Sequence, residues 1–167
     1  MTKGLSRSIS RGNALQQASV AVRATVNTTI TVDGATGIGF GSAAIAGLPE
    51  AHLLFLGGRA DLTFTEADAG MSDTWSGDFG IGTTPADDGT ITAADVDLVG
   101  STALGPATAG VASAAADVTT PAVIDNSAGT GEVNLNLLVD DADISADGVA
   151  VTVTGYVTLA VVALGDD

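Results

Sequence analysis

Asp141, Asp143, Ser145 and Asp147 place oxygen donors at alternate positions, the spacing with which a calcium-binding loop begins. Counted from Asp141, a loop of the EF-hand type needs Gly at its sixth position and a bidentate Glu at its twelfth, and the chain has Ala146 and Thr152 there. Aspartates between strands also bond their own backbone and keep sheet ends soluble. The stretch therefore reads as a structural turn, with ion binding as the competing reading and no metal expected.

Other reactive residue types are scarce. His52 is the sole histidine and enters the apolar run "LPEAHLLFLGG", which fits a packed or partly exposed side chain better than a ligand or a base. No G-x-S-x-G elbow, H-E-x-x-H pair or P-loop is present. "GIGFG" at 37–41 lacks the spacing of a dinucleotide loop and is expected to bend a strand or admit a second backbone. Twenty carboxylates always allow a glycosidase-like pair to be imagined, yet such enzymes usually also offer aromatic platforms. The aromatic set here is four phenylalanines, Trp75 and Tyr156, with Trp75 expected as a core plug. The chain is expected to have no catalytic residues, no cofactor and no enzymatic activity.

Composition sets the frame that would hold any such group. The length of 167 residues suits one domain with a real core, and the absence of cysteine removes disulfides and thiolate zinc from consideration. Much of the apolar fraction is small: 22 glycines, 29 alanines and 21 threonines favour thin, closely approaching layers. The net charge of -15 is unevenly distributed, for Lys3, Arg7, Arg11 and Arg23 all precede the first acid, Asp33. The expected organisation is an extended basic arm over 1–18 and a β-sandwich domain over 19–167. An acidic body disfavours nucleic acid and anionic membrane as partners, whereas the arm suits an acidic protein surface, to which Ser6, Arg7, Ser8, Ser10 and Arg11 can hydrogen-bond or pair. No secretory signal is expected, because the first 24 residues are repeatedly broken by Ser, Arg, Asn and Gln.

Periodicity assigns the elements. In "GVAVTVTGYVTLAVVALGDD" the residues Val149, Val151, Val153, Val157, Leu159 and Val161 share one parity, against Thr152, Thr154, Tyr156 and Thr158 on the other. That is a half-buried strand, bent at Gly155; a membrane helix would lack neither basic nor aromatic anchors and would not be flanked by acids. "SVAVRATVNTTITVDG" alternates in the same way and ends in the turn-favouring pair Asp33-Gly34. In "EVNLNLLVD", Val133, Leu135, Leu137 and Val139 are expected inside with Asn134 and Asn136 outside. Shorter strands are expected at 38–45, 53–56, 61–65, 74–81 and 90–99, and 101–131 reads as a surface excursion with one short helix near 107–116. Seven or eight strands joined by Gly/Asp turns make an antiparallel sandwich or jelly roll.

The segment "WSGDFGIGTTPADDGTITAADVDLVGSTALG", followed by "EVNLNLLVDDADIS" and the closing strand, resembles small virion structural proteins of tailed bacteriophages. In these, a strand like "GDFGIGTT" precedes an Asp-rich loop and a "DDADI" turn leads to a last strand ending in Gly-Asp. The resemblance spans roughly residues 48–167 and leaves out the arm. It implies a capsid decoration, or cement, protein on the outer surface of the head. The implied partner is the major capsid protein, met through Lys3, Arg7, Arg11 and Arg23. A homo-oligomer is also implied, trimers being common among such proteins. A head fibre, spike or tail component is the neighbouring reading, and a calcium- or carbohydrate-binding surface module the more distant one.

Overall fold

The computed structural model describes residues 20–34, 38–67, 69–118, 121–140, 143–146 and 148–165. Among these residues nine strands follow one another: β1 (Val20–Val32), β2 (Gly39–Gly47), β3 (Ala51–Glu66), β4 (Gly77–Gly82), β5 (Val99–Leu104), β6 (Val111–Val118), β7 (Ala122–Asn126), β8 (Glu132–Val139) and β9 (Val149–Gly165). They form two antiparallel sheets packed as a sandwich. The larger has the order β1-β9-β3-β6, with β7 also paired to β3, and the smaller has the order β2-β8-β4-β5.

β9 is the spine of the larger sheet. It pairs with all of β1 on one side and most of β3 on the other, and Val149, Val151, Val153, Val157, Leu159 and Val161 are buried at the predicted parity. No bulge stands at Gly155, since both ladders pass through it in register. The irregularities lie instead on β3, between His52 and Leu53 and between Phe55 and Gly57. The second of these is carried within one 16-residue strand where two shorter strands were expected. Among the described residues no helix is long and apolar enough to cross a membrane.

The core lies between the sheets. Phe64 of β3 and Phe79 of β4 meet across it with ring centroids 5.3 Å apart, tilted by 48°. Trp75 is the plug that was expected, fully buried with its indole Nε1 donating to the Gly110 carbonyl at 3.1 Å. At one corner the sheets meet: Asp33 and Phe40 exchange main-chain bonds of 2.9 and 2.8 Å, and a side chain at Gly41 would strike the Thr31 carbonyl. Of "GIGFG", Gly41 thus serves close backbone approach.

Three expectations fail for physical reasons. Residues 90–98 do not form a strand; they belong to a loop over 83–98 with one 3-10 turn at Ala93–Asp95, and only Val99 of the expected stretch is extended, as the first residue of β5. Its aspartates satisfy backbone donors locally, Asp95 accepting from Thr92 N–H at 2.6 Å and Asp97 accepting from the N–H and hydroxyl of Thr83 at 2.8 Å each. Residues 101–131 hold no helix among those described; pairing with β3 overrides the helical propensity of the alanines and makes β6 and β7. Finally, Asn134 and Asn136 are buried rather than outward, because the 83–98 loop folds across the outer face of β8.

Candidate interaction surface

The outer face of the larger sheet is a lattice of mostly polar side chains set by the strand registers. One row across β1, β9, β3 and β6 reads Arg23, Thr158, Arg59, Asp117, and the next reads Thr25, Tyr156, Asp61, Ala115. Rows beyond are mostly hydroxylic: Asn27, Thr154, Thr63 and Ser113, then Thr29, Thr152 and Thr65. Thr63 and Ser113 share a hydrogen bond of 3.0 Å. Alternation alone puts these groups outside, since every second residue of each strand points away from the core.

Arg23 and Arg59 are the only lysine or arginine residues among those described, and they flank the same threonine. The Arg23 guanidinium lies 4.3 Å from the centroid of the Tyr156 ring, a cation–π contact on an exposed surface. Arg59 reaches Asp117 at 3.4 Å, both largely exposed, so the pair contributes little to stability. Tyr156 is 47% exposed, whereas Phe55, Phe64, Phe79 and Trp75 are wholly buried. Arg23, Arg59, Asp61, Tyr156 and Thr158 line a shallow depression of about 400 Å³. Arginine and tyrosine are the residue types that anchor protein interfaces, through bidentate pairing and rigid amphipathic area. With Asp61 in its lining and Asp117 paired to Arg59, the arrangement is a mixed-charge arginine and tyrosine spot on a body rich in carboxylates.

Of the sequence-predicted contact residues, Arg23 sits in this spot, and Lys3, Arg7 and Arg11 lie outside the described residues. Arg59, Tyr156 and Asp61 were not expected as members. Only the register of β3 against β9 brings them beside Arg23, and that register passes through a bulge that periodicity does not reveal.

The acidic turn holds the chain together. Asp143 accepts from the Ser76 N–H at 2.8 Å and from the Ser76 hydroxyl at 3.2 Å, and Asp140 accepts from that hydroxyl at 2.6 Å. The Asp143 carboxylate thereby fastens the start of β4 to the end of β8. Asp141 and Asp147 lie outside the described residues, and among those described no group of three potential ligands is placed to hold a metal. His52, partly exposed, faces Asp125 across the β3–β7 pair at 3.4 Å. Bonds from the Ser127 N–H and hydroxyl, with a smaller contribution from His52, hold the Asp125 carboxyl below its usual range.

A second depression, of about 410 Å³, lies between the β7–β8 turn and the 83–98 loop. Its carboxylates are engaged internally, Asp97 by Thr83 and Asp125 by Ser127. It therefore offers fewer groups to a partner than the arginine and tyrosine spot. No family model matches the chain, and no curated protein is similar to it.

Proposed function

We propose that the chain is a non-enzymatic capsid decoration protein of a tailed bacteriophage, binding the outer surface of the head and stabilising contacts between capsid subunits. The observation that carries the reading is the Arg23, Tyr156 and Arg59 spot on an acidic sandwich. Its Arg23 lies on β1, the strand that follows the basic N-terminal segment in sequence. The five basic residues of this acidic chain are Arg23 and Arg59 of the spot and, ahead of them in sequence, Lys3, Arg7 and Arg11, the residue types that pair with acidic patches of a capsid lattice. The motifs that carry the phage resemblance coincide with structural parts: "GDFGIG" is β4, "DDADI" contains the carboxylate that fastens it, and the closing segment is the spine β9. A cement needs interface area rather than an active site, and a sandwich bearing a broad, mostly polar face supplies it.

The test is the copy number of the chain relative to the major capsid protein in purified particles, by quantitative mass spectrometry. A ratio near one supports cement. A few copies per particle assign the chain to a fibre or tail, and absence from particles defeats the virion reading.

A further inference from the structure

The four sheet edges are unlike one another. On the far side of the larger sheet, β6 and β7 divide the edge into two short pieces separated by residues 119–121, the last of them Pro121. In the smaller sheet β2 carries a bulge between Ala44 and Ala46, and β5 is six residues long with an irregular register against β4. Short strands, bulges and proline are the devices that stop an edge from recruiting another strand. β1 has none of them. It runs 13 residues without Pro or Gly, pairs with β9 in unbroken register, and carries Arg23 as its one charge. At its C-terminal end β2 closes over it, through the Asp33–Phe40 bonds and the approach of Gly41 to Thr31. The edge from Val20 to Ile30 has no partner strand among the described residues.

We propose that this edge pairs with the same edge of a second copy of the chain, antiparallel and about a two-fold axis at Thr25, the midpoint of the open stretch. A residue-centred axis keeps core-facing residues opposite core-facing ones: Val22 meets Thr28 and Ala24 meets Val26. On the outer face Thr25 meets Thr25, Arg23 meets Asn27 and Ala21 meets Thr29. No like charges oppose each other, and Thr–Thr pairs across strands are favourable. β1 is also free of acids, so two strongly acidic bodies join along the stretch where repulsion is least. Antiparallel pairing brings the Val20 end of each copy, to which the basic arm connects, toward Asp33 of the other. The larger sheets fuse into one. Tyr156 of each copy then flanks the paired Thr25 residues, so the arginine and tyrosine spot becomes a two-fold surface with Asn27 of the second copy as a new member. The pairing stands whether or not the surface it builds meets a capsid.

The experiment uses the full chain, which contains no native cysteine. Opposed residues of an antiparallel pair have Cα atoms about 4.5–5.5 Å apart, within disulfide reach. Under mild oxidation Thr25→Cys should convert almost wholly to a covalent dimer. Ser113→Cys, exposed on the blunted edge of the same sheet, should stay monomeric on denaturing gels. Light scattering of the unmodified chain should give twice 16.2 kDa. Thr25→Lys, which sets two cations against each other at the axis, should weaken dimerisation several-fold. A monomeric mass at micromolar concentrations, or equal cross-linking of both cysteine variants, overturns the proposal.

Discussion

The side-chain amide of Asn136, on β8, donates to the main-chain carbonyl of Asp95 at 2.7 Å across 41 residues of chain. It donates also to the Thr84 carbonyl at 2.9 Å, and its Oδ1 accepts from the Ala86 N–H at 2.9 Å. One fully buried amide thus satisfies three backbone groups of a loop that has no ladder of its own.

Replacing Asn136 with Ala leaves those three groups without partners in a site closed to water. The expected loss is about 2–4 kcal/mol, read as a lower urea midpoint with an unchanged slope. Asn134→Ala removes a single long contact of 3.4 Å to the Thr83 carbonyl and should cost less than about 1 kcal/mol. Equal losses for the two variants would show that the loop is not hung on Asn136.

Gly155 occupies an inward-parity position of β9 at φ +140°, and a Cβ there would strike the Asp61 carbonyl of β3. Gly155→Ala therefore combines a strained backbone with a clash between two central strands, and should cost about 2–3 kcal/mol, or about 5–10 °C in Tm. Gly47→Ala is the control, since a Cβ there meets nothing within 4 Å, and it should shift stability by no more than about 0.5 kcal/mol. A tolerated Gly155→Ala would mean that β3 and β9 can separate without loss.

The contrast between these residues explains what was legible in the sequence. Strands buried on one face announce themselves by alternation, so β1, β8 and β9 and the buried valines of β9 follow from parity alone. Asn134 and Asn136 alternate as outward residues should, and nothing local says that a loop will cover them. In β6, the buried Ala112 and Ala116 alternate with the exposed Ser113, Ala115 and Asp117, but alanine-rich sequence carries too little hydrophobic contrast to separate strand from helix. Tyr156 joins Arg59 and Asp61 only through the β3–β9 register, a non-local property. The same limit applies to Arg23, whose sequence position suggested a contact residue but not the ring it covers.

Ser127→Ala separates two contributions at the β7–β8 turn. The lowered pKa of Asp125 owes most to the Ser127 N–H, then to its hydroxyl, with His52 a lesser influence. The alanine variant keeps the N–H, so the Asp125 carboxyl should move up only part of the way toward its ordinary value in an NMR titration. Because the folded value lies below the unfolded one, whatever stability the group supplies is present above the unfolded pKa and fades as pH falls through the folded pKa. A full return to the ordinary value would mean that the hydroxyl, and not the backbone, sets the shift.

Glu66 shows the opposite sign. Its Oε2 is buried with no hydrogen-bonding partner among the described residues, and burial first, then the charge of Asp73, raises the carboxyl above its usual pKa. The native state therefore holds a proton more tightly than the unfolded chain, so this group is least unfavourable below its unfolded pKa, about 4.3, and detracts from stability as pH rises through the folded value. Glu66→Gln removes the charge while keeping the size. Its amide carries the same packing and hydrogen-bonding cost at every pH, so that cost cancels when the two proteins are compared across pH. The variant should gain about 1–2 °C in Tm at pH 7 relative to its offset from the parent in acid, where both side chains are neutral. A difference in Tm that stays constant from acid to neutral pH would show that Glu66 ionises freely, with neither burial nor Asp73 opposing its charge.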